Sequence, residues 1–410
     1  MLSKYVANRE IMKLQTISFY RENFVDKSFW KYENLNFENI NLIVGQNSAG
    51  KSRIVRTIFA LSELITYNKI NTLANIKFHW NAKFLSSTDE IYHYEIIYQN
   101  NHVLLEKLTL NGEDFIIRNN RGSGKIKSSK LDDYLDFEVD LDVLILFNKK
   151  DKLHHPFIIE LAQWAENLSY YNFGAPLGQN TNAVVTNKFM PKINQNTKKI
   201  KLDSVDKSFI KNDMHVVVKF HIGIDQIGDK FKNIILEDIN SLGYNVTDIK
   251  LDNSPETASN AETSLMCLYV QENNLSYIPQ VYISQGMFRA LSIIIQITFN
   301  RYLAIPTSLI IDDIGEGLDF ERSSKLIKLL IDRVNDNPDK QLFLTTNDKY
   351  VMNSVPLKYW NIVYSENSEI KCKNINNSKQ IFEDFAFTGL NNFDFFTGKI
   401  FQKTSLIDHD

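Results

Sequence analysis

An α/β fold organised around a phosphate-binding strand, loop and helix is predicted for this 410-residue chain by three observations. The apolar run Ile40 to Val44 leads directly into Gly45-Gln46-Asn47-Ser48-Ala49-Gly50-Lys51-Ser52, and Ile54, Ile58, Leu61 and Ile65 follow at helical spacing. Residues 76 to 118 alternate apolar and polar side chains, the period of half-buried antiparallel strands. Far downstream, the buried-strand run Ser308 to Ile311 ends in two carboxylates, Asp312 and Asp313.

The first of these is a complete P-loop, Gly-x-x-x-x-Gly-Lys-Ser. Its glycines let backbone N–H groups close around phosphate oxygens, Lys51 would reach the β- and γ-phosphates, and the Ser52 hydroxyl would hold Mg²⁺. The helix that follows adds the positive end of its dipole. A glycine turn that binds nothing is the bland alternative, and the strand before and helix after the loop argue against it.

Length and composition bound the rest. A chain of this size exceeds what one core supports, so two or three lobes are expected. Apolar residues make up 43%, and no uninterrupted apolar run is long enough to cross a bilayer. The segment MLSKYVANREIMKLQ lacks the apolar core of a signal peptide, and the two cysteines, Cys267 and Cys372, offer no disulfide framework. A cytoplasmic location without membrane contact is therefore expected. The net charge of −3 excludes global attraction to nucleic acid, leaving only local basic loops for such contacts.

Along the chain, Lys13 to Phe37 reads as two or three strands, and residues 76 to 118 extend this antiparallel layer, with Asn111-Gly112 as a hairpin turn. NNRGSGKIKSSK lacks the spacing of a second phosphate loop and reads as an exposed basic loop. Val143 to Phe147 reads as a buried strand ending in Asn148-Lys149-Lys150-Asp151. That tetrapeptide and Asp312-Asp313-Ile314-Gly315 spell guanine-nucleotide motifs, but in an order no GTPase or permuted GTPase has, so a polar turn is the better reading of the first. His154-His155 has no further ligand at metal spacing. Phe157 to Leu168 is helical; 174 to 201, rich in Asn, Thr, Gln and Lys, reads as a mobile loop carrying Lys188, Lys192, Lys198, Lys199 and Lys201. Val216 to Ile222 is strand-like, Phe231 to Leu242 helical with Gly243 as its C-cap, and Val246 to Leu251 a strand. Without a long heptad run, the segment between the P-loop and the next motif is a compact α/β insertion.

Val281, Tyr282 and Ile283 lead into Ser284-Gln285-Gly286-Met287-Phe288-Arg289 and a long helix, for which Ser284 is placed as N-cap. The Ser308 to Asp312 strand delivers a carboxylate to Mg²⁺ in the manner of a Walker B strand. Gly315-Glu316-Gly317-Leu318-Asp319 turns into a helix over Ser323 to Val334, and the strand Gln341 to Thr346 ends at Asn347. In the order GQNSAGKS, ISQGMFRAL, LIIDD, GEGLDF and LTTND, the chain resembles the ABC-type P-loop ATPases, within the compact branch that includes SMC-like heads and the ATPase domains of the overcoming-lysogenisation-defect nucleases.

That resemblance implies ATP and Mg²⁺ as cofactors, bound by Gly45 to Ser52 with Asp312 supporting the metal. It implies a head-to-tail homodimer or higher homo-oligomer in which Ser284 and Gly286 reach the γ-phosphate held by a second copy. Asp313 stands where the family has a catalytic glutamate, and Asn347 where it has histidine. Aspartate is one methylene shorter and asparagine cannot carry a proton, so hydrolysis is expected to be slow or to await a partner. Glu316 is an alternative base, and the Mg²⁺-contacting glutamine of the family is not placed. By analogy the function is an ATPase whose closing and opening regulates an effector protein, in bacterial anti-phage defence or a related DNA transaction. The alternative is a nucleotide-gated scaffold that assembles an effector with little hydrolysis. The division expected is 1–150 and 276–375 for the two parts of the ATPase core, 151–275 for the insertion, and 376–410 for a phenylalanine-rich tail packed on the protein's own core.

Overall fold

The computed structural model describes residues 12–68, 75–175, 179, 183–186, 216–255, 263–302, 308–337 and 339–402. They fall into two compact units. One contains the described residues of Met1–Leu168, Pro306–Ile310 and Val334–Asp410, the other those of Ser169–Ile305 and Ile311–Arg333.

The first unit opens with strands β1 (Met12–Asn23), β2 (Phe29–Asn36) and β3 (Ile40–Val44), then helix α1 (Lys51–Tyr67). The next six strands form five consecutive antiparallel pairs: β4 (Ile76–Ser86), β5 (Ile91–Gln99), β6 (His102–Leu110), β7 (Glu113–Arg118), β8 (Ser123–Ser128) and β9 (Asp133–Glu138); β4 also pairs back onto β1. The alternation of the sequence is the cause. Trp80, Ala82, Phe84, Tyr92, Tyr94 and Ile96 point inward and are buried, while Lys83, His93 and Glu95 lie on the other face. The buried face meets α1, where the Trp80 indole donates to Thr57 O at 3.2 Å and the Tyr32 hydroxyl meets Thr57 Oγ1. Burying each such aromatic contributes about 1.5–3 kcal/mol before entropy is counted.

Two expectations fail in this unit for identifiable reasons. The supposed basic loop is strand β8, which pairs on both sides; Ile126 and Ser128 are buried while Lys125 stays exposed, so the period of two was present but carried by weak strand formers. The supposed strand at 143–147 is instead a single helical turn, α2 (Ile145–Asn148). Its first N–H groups are satisfied from a distant strand: the Glu106 carboxylate accepts from Ile145 N at 2.8 Å and Leu146 N at 3.1 Å. Of the expected polar turn, Asn148 ends this helix, Lys149 alone is a turn residue, and Lys150 and Asp151 are irregular, with Asp151 accepting from Leu153 N. Helix α3 (Pro156–Asn167) follows, with proline in its first turn.

The second unit holds β10 (Ser169–Asn172), β11 (Ala183–Thr186), helices α4 (Val216–Ile227) and α5 (Asp229–Ser241), strands β12 (Val246–Asn253), β13 (Thr263–Glu272) and β14 (Tyr277–Pro279), and helix α6 (Gln285–Tyr302). Strands β11, β12 and β14 pair with β13. The segment 216–222, expected to be a strand, is helical: Val216, Val217, Phe220 and Gly223 share the buried face, and a Cβ at Gly223 would lie 2.3 Å from the Phe231 ring. Close helix packing outweighs the β-branched run. Gly243 takes φ 94° after α5, as the C-cap reading required. Of the predicted 174–201 loop, Ala183–Thr186 is strand, and the five lysines named for it lie outside the described residues.

Strand β15 (Ser308–Asp312) starts in the first unit and ends in the second, where α7 (Phe320–Asn335) begins. The chain re-enters the first unit for β16 (Gln341–Thr346), α8 (Lys349–Ser354), β17 (Trp360–Glu366), β18 (Glu369–Asn374), α9 (Lys379–Ala386) and α10 (Asn392–Thr397). In that unit the strand order is β15-β16-β3-β17-β18-β2-β1-β4-β5-β6-β7-β8-β9. In the tail, Phe382, Phe385, Phe395 and Phe401 are buried, as expected, with the Phe385 and Phe395 rings 4.6 Å apart; Phe387 is not, at 89% exposure. Strand β9 closes the sheet with Asp133, Tyr134, Leu135, Asp136 and Glu138 all exposed. No helix among the described residues is long and apolar enough to cross a membrane.

Candidate functional site

In the first unit, β3 lies between two parallel neighbours. Val44 pairs with Thr346 of β16 on one side and with Ile362 of β17 on the other. Gly45 and Asn347, each one residue further on, therefore leave the sheet at the same carboxyl edge, where open α/β sheets bind ligands. Gly45 has no room for a side chain, since a Cβ would lie 2.5 Å from Val363 O. Gly50 has φ 106°, and a Cβ there would meet Ile370 Cδ1 at 2.3 Å. With Ser48 also left-handed at φ 68°, the loop takes the kind of conformation in which backbone N–H groups converge on an anion.

Helix α1 then starts at Lys51 with Gly50 as its N-cap. No side chain caps it and no acid lies in its first turn, so its positive end is not offset there. Lys51 is buried and donates from Nζ to Gly45 O at 2.8 Å and Gln46 O at 3.2 Å, which holds its ammonium at the mouth of the loop. Gln46, Asn47 and Ser48 are exposed, Ala49 is buried, and Ser52 is half-buried. On the neighbouring strand end, the Asp348 carboxylate caps α8 by accepting from Tyr350 N and Val351 N. That leaves exposed Asn347 as the free-standing polar side chain of LTTND.

The second unit carries the other motif residues. Asp312 is fully buried at the end of β15; Tyr170 donates its hydroxyl to Asp312 Oδ2 at 2.8 Å, and Phe173 N donates to Asp312 O at 2.8 Å. Asp313 has φ 58°, a left-handed conformation in which Asp and Asn are enriched over other side-chain-bearing residues. This gives a local reason for aspartate at this position. The turn continues through Gly315 and Gly317, at φ 94° and 79°, and exposes Glu316. Arg289 joins this turn to the segment after β10, donating from Nη1 to Glu316 O at 2.7 Å and from Nη2 to Gly174 O at 2.8 Å. Ser284 caps α6 as predicted, its Oγ accepting from Met287 N at 3.2 Å, and is exposed. Gly286 packs so tightly that a Cβ would be 2.5 Å from Gly317 O.

Tyr170 and Arg289 were not singled out from the sequence. Tyr170 had no signal, and Arg289 lay inside a quoted motif without a role. Gln179 is buried and donates to Gln280 O and Ile283 O, which assigns its amide to the segment ahead of Ser284. His154 Nδ1 meets Ser128 Oγ and His155 Nδ1 meets Lys127 O; among the described residues no group of three or more His, Cys, Asp or Glu could hold a metal. A cavity of about 480 Å³ on the open face of the antiparallel strands, lined by Ser18, Lys31, Glu33 and His79 among others, includes no P-loop residue.

The donor chemistry fits the implied cofactor. Ser52, in the first unit, and Asp312, in the second, each carry a hard oxygen of the kind Mg²⁺ takes alongside substrate phosphates, and Gly45 and Gly50 let the loop pack against Val363 and Ile370 where a Cβ would not fit. Bound there, ATP·Mg²⁺ would supply the transferable phosphoryl group.

A P-loop at the carboxyl edge of parallel strands, the strand Ser308–Asp312 in the same sheet and an antiparallel layer beyond them make up the ABC-type P-loop NTPase fold, which the chain shares with an SMC head. A crystal structure of the SMC head bound to the C-winged helix domain of ScpA has a TM-score of 0.51 to this chain at 11% identity, covering 89% of this chain and 99% of that one. The Smc head domain with an extended coiled coil bound to the C-terminal domain of ScpA, from Pyrococcus furiosus, gives a TM-score of 0.49 at 10% identity over 92% of this chain and 100% of that one. RecF with ATPrS, of the RecFOR pathway, gives 0.40 at 14% identity, covering 88% and 98%. No family model matches the sequence, and no curated protein matches it.

Proposed function

We propose that the protein is an ATPase that binds ATP·Mg²⁺ at the P-loop, with Asp312 supporting the metal, and that two copies close head to tail on the nucleotide. The observation that carries this reading is the loop itself: Gly45 and Gly50 leave no space for a side chain, and Lys51 stands at the mouth of an uncapped helix N-terminus. Ser284, Gln285 and Gly286 begin α6, with Ser284 and Gln285 exposed, a position from which they can serve the phosphates of a second copy. Opening and closing of the dimer then regulates an effector protein. Partner binding on this fold has a precedent in the SMC head bound to ScpA, and a role in anti-phage defence or a related DNA transaction follows by analogy.

A second reading is favoured by two specific observations. Asp313 sits in a left-handed turn with a side chain shorter than glutamate, and Asn347 cannot carry a proton. These suit a nucleotide-gated scaffold, in which ATP holds an assembly and hydrolysis is incidental. Purified protein separates the two. In the ATPase reading it turns over ATP with Mg²⁺, and Asp313→Asn abolishes turnover while accumulating a dimer. Negligible turnover by the parent, with ATP-dependent dimers intact, selects the scaffold. Lys51→Ala is expected to abolish nucleotide binding and ATP-dependent dimerisation in both readings; ATP-dependent dimers of that variant would overturn both.

A further inference from the structure

Tyr170 and Asp312 are separated by 142 positions in the chain, and β10 brings them together. Strand alternation sends Tyr171 to the other side, where it is fully buried and accepts from Lys219 Nζ at 2.9 Å, and leaves Tyr170 facing the end of β15. Two bonds from this one segment reach Asp312, the Phe173 N–H to its carbonyl and the Tyr170 hydroxyl to its Oδ2. Both backbone and side chain of the aspartate are thereby held.

A fully buried carboxylate is costly unless its oxygens are satisfied. The identity of the donor decides what else the carboxylate can do. A lysine or arginine at position 170 would bring a positive charge that competes with a cation, whereas a phenol fixes one oxygen by a neutral hydrogen bond. Partners of this kind behind a metal-binding carboxylate set its orientation, and their removal typically costs 10- to 100-fold in metal affinity.

We propose that Tyr170 is a positioning residue for Asp312, pinning Oδ2 so that the carboxylate meets nucleotide-bound Mg²⁺ in one fixed orientation. The inference rests on the reading that Asp312 supports Mg²⁺ at the P-loop nucleotide. Tyr170 touches the carboxylate and acts through it.

The test uses the full chain and a fluorescent ATP analogue, titrated in EDTA and then with MgCl₂ at fixed analogue concentration. Tyr170→Phe removes a single oxygen atom and keeps the ring. The Mg²⁺ concentration at half-maximal effect is expected to rise about 10-fold in this variant, while binding in EDTA is unchanged. Asp312→Asn should remove the Mg²⁺ response, and adding Tyr170→Phe to it should change nothing further, because a residue that acts only through Asp312 has no independent effect. A purely structural clamp gives a different pattern: a lowered thermal midpoint with an unshifted Mg²⁺ midpoint, or equal losses with and without Mg²⁺. Either overturns the proposal, as does a lowered Mg²⁺ midpoint. If the parent shows no Mg²⁺-dependent binding of the analogue, the nucleotide reading itself fails and this inference with it; an unshifted variant beside a responsive parent removes only the role of Tyr170.

Discussion

Gly50→Ala is the most exacting test of the loop geometry, because two separable terms oppose it. The backbone at φ 106° lies in a region that L side chains rarely adopt, and holding a residue there costs on the order of 1–3 kcal/mol. The new methyl would also stand 2.3 Å from Ile370 Cδ1 and 2.9 Å from Ile370 Cγ1, a collision worth about 1–3 kcal/mol in a packed core. Together the loss should be about 2–6 kcal/mol. The second term can be relieved without touching the first. Ile370→Val deletes Cδ1 and alone should cost about 0.5–1.5 kcal/mol, since Ile370 is buried. In that background Gly50→Ala should cost at least about 1 kcal/mol less than in the parent, a coupling measurable by urea unfolding of the four proteins. Equal costs in both backgrounds would refute the packing part of the reasoning. A total cost below about 0.5 kcal/mol would refute the whole of it.

Further expectations follow from buried polar groups. Arg289→Ala removes two charge-assisted hydrogen bonds, at about 1.5–3 kcal/mol each, and should raise amide hydrogen exchange near Gly174 and Glu316, with Arg289→Lys recovering only part because it lacks the two-pronged guanidinium. The His155 imidazole is held below its ordinary range chiefly by burial, against the opposing pull of Lys127 O and Asp151. The unfolded chain therefore takes up a proton at His155 first as pH falls, so the stability present above about pH 6.5 declines on acidification. Thermal midpoints between pH 7 and 5.5 should fall less steeply in His155→Asn, with a residual slope from His93, which burial depresses in the same direction. Cys372, its thiol pushed up to about 12 by burial, should resist alkylation in the folded protein at pH 8 and react on denaturation.

What was legible in the sequence is what short-range chemistry encodes. The P-loop, the Walker B strand and the strand at Gln341 each carry their own apolar run and terminal polar residue, so their ends fell where expected. The alternating strands from Ile76 to Arg118 were equally plain, because half of each strand faces α1 or the core. Helix α2 was illegible for the opposite reason: its N-terminus is satisfied by Glu106, on another strand. Helix α4 turned on the close approach of Gly223 to Phe231, which no local pattern announces. The same distinction holds at the site. Lys51, Ser52 and Asp312 come with motifs, whereas the support of Asp312 by Tyr170 exists only once β10 lies beside β15.

The exposed carboxylates of β9 bear on how large an assembly the sheet allows. A terminal strand offers unpaired backbone groups to any other strand, and two copies of the chain would most readily meet there edge to edge. Asp133, Asp136 and Glu138 on one copy would then face the same three on the next, in a contact that also has to shed their hydration. This edge is thereby set against pairing with a second copy.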